Sequence, residues 1–153
     1  MKREPAGDRQ ILYVPEPVWE AVLDHCRREM PREACGLLSG LGNMVARALP
    51  LPNVAPDPQH SYLAEPECLY RALADMERRG EEMVGIYHSH PTGSPALSAR
   101  DREQALWPGV VHVVVSFAGQ RPQARAWRLP GCGPPANTAA GAVPLCIIHL
   151  DKL

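Results

Sequence analysis

The chain has 153 residues, a formal net charge of −1, and 45% hydrophobic and 22% charged residues. That is ordinary usage for one globular domain, which excludes wholesale disorder and a coiled coil. It also leaves no basic footprint for nucleic acid and no polybasic patch for a membrane.

No run approaches the roughly 18 apolar residues of a membrane span. Met1 to Pro5 leads into polar residues without an apolar signal core, so the expected location is the cytoplasm. The 17 prolines punctuate loops. Five cysteines (Cys26, Cys35, Cys68, Cys132, Cys146) form no CxxC pair, which argues against a disulfide framework and a Cys-rich structural zinc site. Each is expected as a small buried thiol.

Residues 1–9 read as a loose tail, and Ile11 to Val14 as a short strand. Pro15 and Pro17 then open a helix, since proline suits a first turn. Val18, Val22, Cys26 and Met30 recur every four residues with Trp19 and Leu23 beside them, forming one apolar face. Pro31 stops that helix. Ala34 to Leu41 reads as a buried strand and Met44 to Leu51 as its hairpin partner. Residues 52–61 are a loop by composition.

Pro66 and Glu67 begin a second helix. It buries Leu69, Leu73 and Met76, turns Arg71, Asp75, Arg78 and Arg79 to water, and ends at Gly80. Met83 to His90 is the next strand, and Ala99 to Leu106 a short helix. Val110 to Phe117, rich in β-branched residues, reads as a strand buried on both faces. Arg125 to Leu129 is a further strand, residues 130–142 a mobile Gly/Pro/Ala-rich loop, and Leu145 to Leu150 a last strand. The expected fold is α/β, a mixed β-sheet flanked by helices within a single domain spanning 1–153.

The chemistry concentrates in His88-Ser89-His90-Pro91-Thr92-Gly93 and the following Ser98-Ala99-Arg100-Asp101. A strand has a side-chain period of two, so His88 and His90 point to one face. Pro91 ends the strand, and Gly93 and Pro95 let the chain fold back so that Asp101 arrives on the first turn of a helix. Two imidazoles and a carboxylate make a three-ligand site with a fourth position for water, the layout of a catalytic zinc. Ser98-x-x-Asp101 also fits a helix capping box. The two readings are compatible: Ser98 caps while Asp101 turns an oxygen to the metal. His25, His60, His112 and His149 lie outside any ligand spacing and read as structural or surface residues.

His88-x-His90, ten residues and then Asp101, with Pro91, Gly93 and Ser98 in place, resembles the JAMM motif of MPN-domain metallopeptidases. The resemblance covers about residues 10–130. It implies the MPN sandwich, a fold related to cytidine deaminases. It also implies one Zn2+ per chain held by His88, His90 and Asp101. In that family an upstream glutamate completes the site. Pro31-Arg32-Glu33-Ala34-Cys35-Gly36-Leu37-Leu38 resembles the segment that carries it, which makes Glu33 the candidate general base. The Ser98 hydroxyl is then the candidate donor to the developing oxyanion, a role worth roughly 3–4 kcal/mol in other systems. Cys35 has no histidine partner nearby in sequence and is expected to pack in the core.

The resemblance further implies hydrolysis of the amide after the C-terminal Gly-Gly of a small ubiquitin-like or sulfur-carrier protein. Tail processing, isopeptide cleavage and release of cysteine built on the carrier all remain open. An extended tail is expected to dock by strand addition at exposed sheet edges near the metal, bordered by residues 53–65 and 130–142. The alternative within the fold is a non-catalytic MPN scaffold for a ubiquitin-like partner. A zinc deaminase needs His-x-Glu and Pro-Cys-x-x-Cys, which this chain lacks. A closed structural zinc site needs a fourth protein ligand, and none presents itself.

Overall fold

The computed structural model describes residues 11–103, 107, 110–128 and 141–149. The expected tail over 1–9 and most of the expected loop over 130–142 therefore lie outside the described residues. The elements in order are β1 (Leu12–Pro15), α1 (Glu16–Glu29), β2 (Cys35–Leu41), β3 (Met44–Leu51), α2 (Pro66–Arg78), β4 (Glu82–His90), α3 (Ala99–Glu103), β5 (Val111–Ser116), β6 (Gln123–Arg128), β7 (Gly141–Val143) and β8 (Leu145–Ile148).

The strands form one mixed sheet in the order β7-β6-β5-β4-β2-β3-β1-β8. Antiparallel pairs β2–β3, β2–β4, β5–β6 and β6–β7 combine with parallel pairs β4–β5, β1–β3 and β1–β8. Residues 141 and 142 are thus strand and not loop: Gly141 and Ala142 pair with Arg128 and Trp127. β7 and β8 lie on opposite sides of the sheet order, yet only Pro144 separates them. Three consecutive Cα atoms span at most about 7 Å, so the sheet curls until its two margins meet. The Pro144 carbonyl accepts from Leu12 N–H at 2.8 Å at that seam.

Each face of the sheet carries its own apolar layer. On one face Val22 and Cys26 of α1 pack with Leu38, Tyr87, Val113 and Val115. On the other, Cys35, Leu37 and Ile86 pack with Met76 of α2, flanked by Leu69 and Leu73. The period-two alternation of β4 sends Tyr87 to the first layer and Ile86 to the second. All six residues of β5 are buried, as its composition predicts.

Local signals explain the helix limits. Pro17 lies in the first turn of α1. The Glu65 carboxylate caps α2, accepting from Glu67 N–H at 3.1 Å and Cys68 N–H at 2.7 Å. Gly80 adopts φ +68° just past α2, a left-handed conformation that glycine enters at no steric cost. Met30 departs from the predicted apolar stripe. It is the C-cap of α1, with ψ 136°, and is 43% exposed. Cys26 and Cys35 are buried as expected, but Cys146 is exposed and Cys68 only half-buried.

Candidate metal centre

Pro91 ends β4 in the interior of the sheet, between β2 and β5. The predicted histidine pair therefore sits over the middle of the sheet and not beside an open margin. Strand addition next to the metal is corrected accordingly: both neighbours of β4 are already paired. His88 and His90 project from the same face, buried, at the point where β2 gives way to the Glu33–Ala34 segment. The loop after Pro91 returns Asp101 onto α3.

The ligand atoms converge. His88 Nε2 lies 3.1 Å from His90 Nε2, and each lies 3.1 Å from Asp101 Oδ2. Glu33 joins them, so that all four residues offer ligand atoms within 4.8 Å of one another, and all four are buried. Glu33 is 4% exposed, so its carboxylate is held inside the protein and not in solvent.

The donor chemistry fits a cation. Atoms at 2.0–2.1 Å from a tetrahedral ion lie about 3.3 Å from one another, close to the observed triangle. His90 Nδ1 donates to the Ser94 carbonyl at 2.7 Å, which fixes the tautomer that leaves an Nε2 lone pair facing the cluster. Glu33 Oε1 is buried without a hydrogen-bond partner among the described residues. A buried imidazole lone pair on His90 facing an unsatisfied carboxylate is costly without a positive charge between them.

Burial pushes the Glu33 carboxyl up to about 7; His90 opposes this and Asp101 adds to it. Burial works against ionisation of Asp101 too, yet its contacts with His88 and His90 hold it well below the usual carboxylate range. Burial lowers His88, and Asp101 opposes. For His90, burial is outweighed by Asp101 and the Ser94 carbonyl, and its pKa rises.

Ser98 does cap. Its N–H donates to Asp101 Oδ2 at 2.9 Å, and its Oγ accepts from Asp101 N–H at 3.0 Å. The same Oδ2 faces both imidazoles, so the capping oxygen is also the one aimed at the cluster. The Ser98 hydroxyl proton stays available to a substrate. Cys35 faces the site layer opposite His88, but burial pushes its thiol up to about 12, which suits packing and not nucleophilic attack.

Several neighbours escaped the sequence reading. Tyr62 stacks on His88, with ring centroids 4.5 Å apart and planes 26° apart. Asn53, buried in the loop after β3, donates to the Glu33 and Ser61 carbonyls at 2.9 and 3.1 Å, and accepts from Ala55 and Leu63 N–H at 3.0 Å each. It folds residues 53–63 into a roof. Under that roof lies a cavity of about 380 Å³, lined by Asp101 and by apolar side chains including Leu37, Leu51, Leu63, Ile86 and Trp107.

A mixed curled sheet carrying this four-residue centre defines a JAB-type domain, and residues 15–130 match the family of prokaryotic homologs of the JAB domain. The chain belongs to that family. It is 43% identical over 111 residues to a probable TtuB-protein conjugate cleaving protease of Thermus thermophilus, covering 72% of this chain and 74% of that one. It is 31% identical over 128 residues to the CysO-cysteine peptidase of Mycobacterium tuberculosis, covering 80% and 86% of the two chains. The fold matches AF2198, a JAB1/MPN domain protein from Archaeoglobus fulgidus, with a TM-score of 0.59 at 17% identity, covering 90% of this chain and 97% of that one.

Proposed function

We propose that this chain is a zinc-dependent peptidase of the JAMM type that hydrolyses the amide following the C-terminal Gly-Gly of a small ubiquitin-like or sulfur-carrier protein. The observation that carries this reading is the buried convergence of Glu33, His88, His90 and Asp101 beside an apolar cavity. The names of the two relatives, which act on TtuB conjugates and on CysO-cysteine, support the substrate class.

His88, His90 and Asp101 hold the ion, and zinc suits a two-nitrogen, one-oxygen set with an open position. A divalent ion bound there supplies Lewis-acid activation of water and of the scissile carbonyl. Glu33 takes the proton of the attacking water and passes it to the leaving amine, and the closeness of its pKa to neutrality suits both halves of that task. Ser98 donates its hydroxyl proton to the oxygen that gains charge. The cavity takes the carrier tail, and the roof over residues 53–63 borders it. Gly-Gly passes under such a roof because it has no side chains to obstruct the approach. The four described cysteines are free thiols, which supports a reducing compartment, the cytoplasm.

The test is incubation of zinc-loaded protein with a carrier extended beyond Gly-Gly, followed by mass measurement. Cleavage after the second glycine is expected, and a Gly-Ala tail should be cut far more slowly. Equal cleavage of both tails, or cleavage of unfolded peptides alone, would replace this reading with a broad peptidase.

A further inference from the structure

The carboxylate of Glu33 must be held against its substrate, yet its Oε1 has no hydrogen-bond partner among the described residues. Its placement therefore comes from its backbone. Glu33 N–H donates to the Pro58 carbonyl at 2.7 Å. The Glu33 carbonyl accepts from Asn53 Nδ2 at 2.9 Å. On the other side of the same peptide plane, Ala34 N–H donates to Ser89 Oγ at 2.8 Å.

That last contact is irregular. The β2–β4 register pairs Cys35 with His88, so the next pair is Ala34 with Ser89. Ser89 N–H duly donates to the Ala34 carbonyl at 3.0 Å. A regular antiparallel pair would return the bond from Ala34 N–H to a main-chain carbonyl. Here the Ser89 hydroxyl takes that place, at the point where the chain leaves the sheet and carries Glu33 over the histidines. Ser89 is fully buried, and its hydroxyl lies against the Cys26 thiol of α1.

We infer that Ser89 is a positioning residue: from between the two histidines it fixes the Glu33–Ala34 peptide plane and so aims the Glu33 carboxylate. This rests on the assignment of Glu33 as proton carrier. A misplacement of about 1 Å at such a group costs on the order of 100-fold in rate.

The experiment compares wild type, Ser89→Ala and Ser89→Thr on a Gly-Gly-extended carrier, each in the native and the Glu33→Gln background. Zinc content is measured alongside, as is hydrogen exchange at the Ala34 amide. Ser89→Ala should lower kcat by roughly 10- to 100-fold with KM and zinc content within about twofold, and Ser89→Thr, which keeps the hydroxyl, should restore most of the rate. In the Glu33→Gln background Ser89→Ala should cost nothing further, because the group it aims is gone. A wild-type kcat in Ser89→Ala, or an equal loss in both backgrounds, would overturn the inference. Should wild type cleave no carrier at all, the functional reading fails by itself. Exchange at Ala34 then decides: acceleration in Ser89→Ala sustains the clamp, and unchanged exchange removes it.

Discussion

The side-chain amide of Asn53 donates to the backbone carbonyl of Glu33 at 2.9 Å. The residue that folds the roof over the cavity is thereby also an anchor of the proposed general base. The Pro58 carbonyl, in the same roof, holds the Glu33 N–H. The proposed substrate cover and the proposed proton carrier are built from one hydrogen-bonded unit. A tail that displaced the roof would also disturb the base.

The metal assignment predicts one zinc per chain. His88→Ala and His90→Ala should each lose most of it by metal analysis of purified protein, since removing one of three protein ligands leaves too few to hold the ion. Retention of full zinc in both variants would remove the assignment.

Glu33→Gln should keep zinc and the fold while losing roughly 100- to 10,000-fold in hydrolysis, the usual contribution of a general acid–base group. The amide matches the carboxylate in shape but accepts no proton from water. Near-normal turnover would remove Glu33 from that role.

His112 predicts a pH dependence. It is 2% exposed, and burial, helped by His88, lowers it from 6.5 to about 4. A base whose folded pKa is depressed contributes stability above its unfolded pKa, and that contribution is lost as pH falls from 6.5 towards 4. Between pH 7 and pH 4.5, wild type should lose about 2–3 kcal/mol more than His112→Phe in urea melts. Comparing the two proteins in one buffer cancels what other groups, and metal release, contribute to both. Parallel pH profiles would contradict the buried neutral ring.

Gly36 predicts a packing defect. A Cβ added there would fall well inside van der Waals contact with the ring of Tyr87, itself fully buried. Gly36→Ala should cost about 1–3 kcal/mol, a fall of roughly 3–10 °C in Tm for a chain of this size. Trimming the ring in a Gly36→Ala/Tyr87→Leu double variant should recover part of the loss, a non-additivity expected only of residues in contact.

The site was legible where chemistry follows the local chain. His88 and His90 share a face because strand period is two, and Asp101 follows from a cap that any helix start displays. Glu33 was reached only through resemblance, since a glutamate after Pro31 carries no local sign that it will be buried. Asn53 gave no sign either. A polar residue among prolines reads as loop, and its five side-chain bonds arise only once residues 33, 55, 58, 61 and 63 gather around it. Met30 misled because a four-residue repeat has no means of marking where the helix stops turning. Gly141–Val143 was hidden by composition: its strand character comes from pairing with β6, a tertiary effect that overrides weak propensity.

The junction at Pro144 has a consequence for how the protein tolerates damage. One continuous stretch, 141–148, covers β6 with its first half and β1 with its second. A single proteolytic cut that released it would bare two rows of unpaired amides and carbonyls at once. Those rows would face each other's counterparts on neighbouring molecules, the arrangement that seeds edge-to-edge aggregation. The candidate metal centre, built on β4, would lie with one strand between it and the wound on β6 and two strands between it and the wound on β1. Loss of solubility would then precede loss of the site itself.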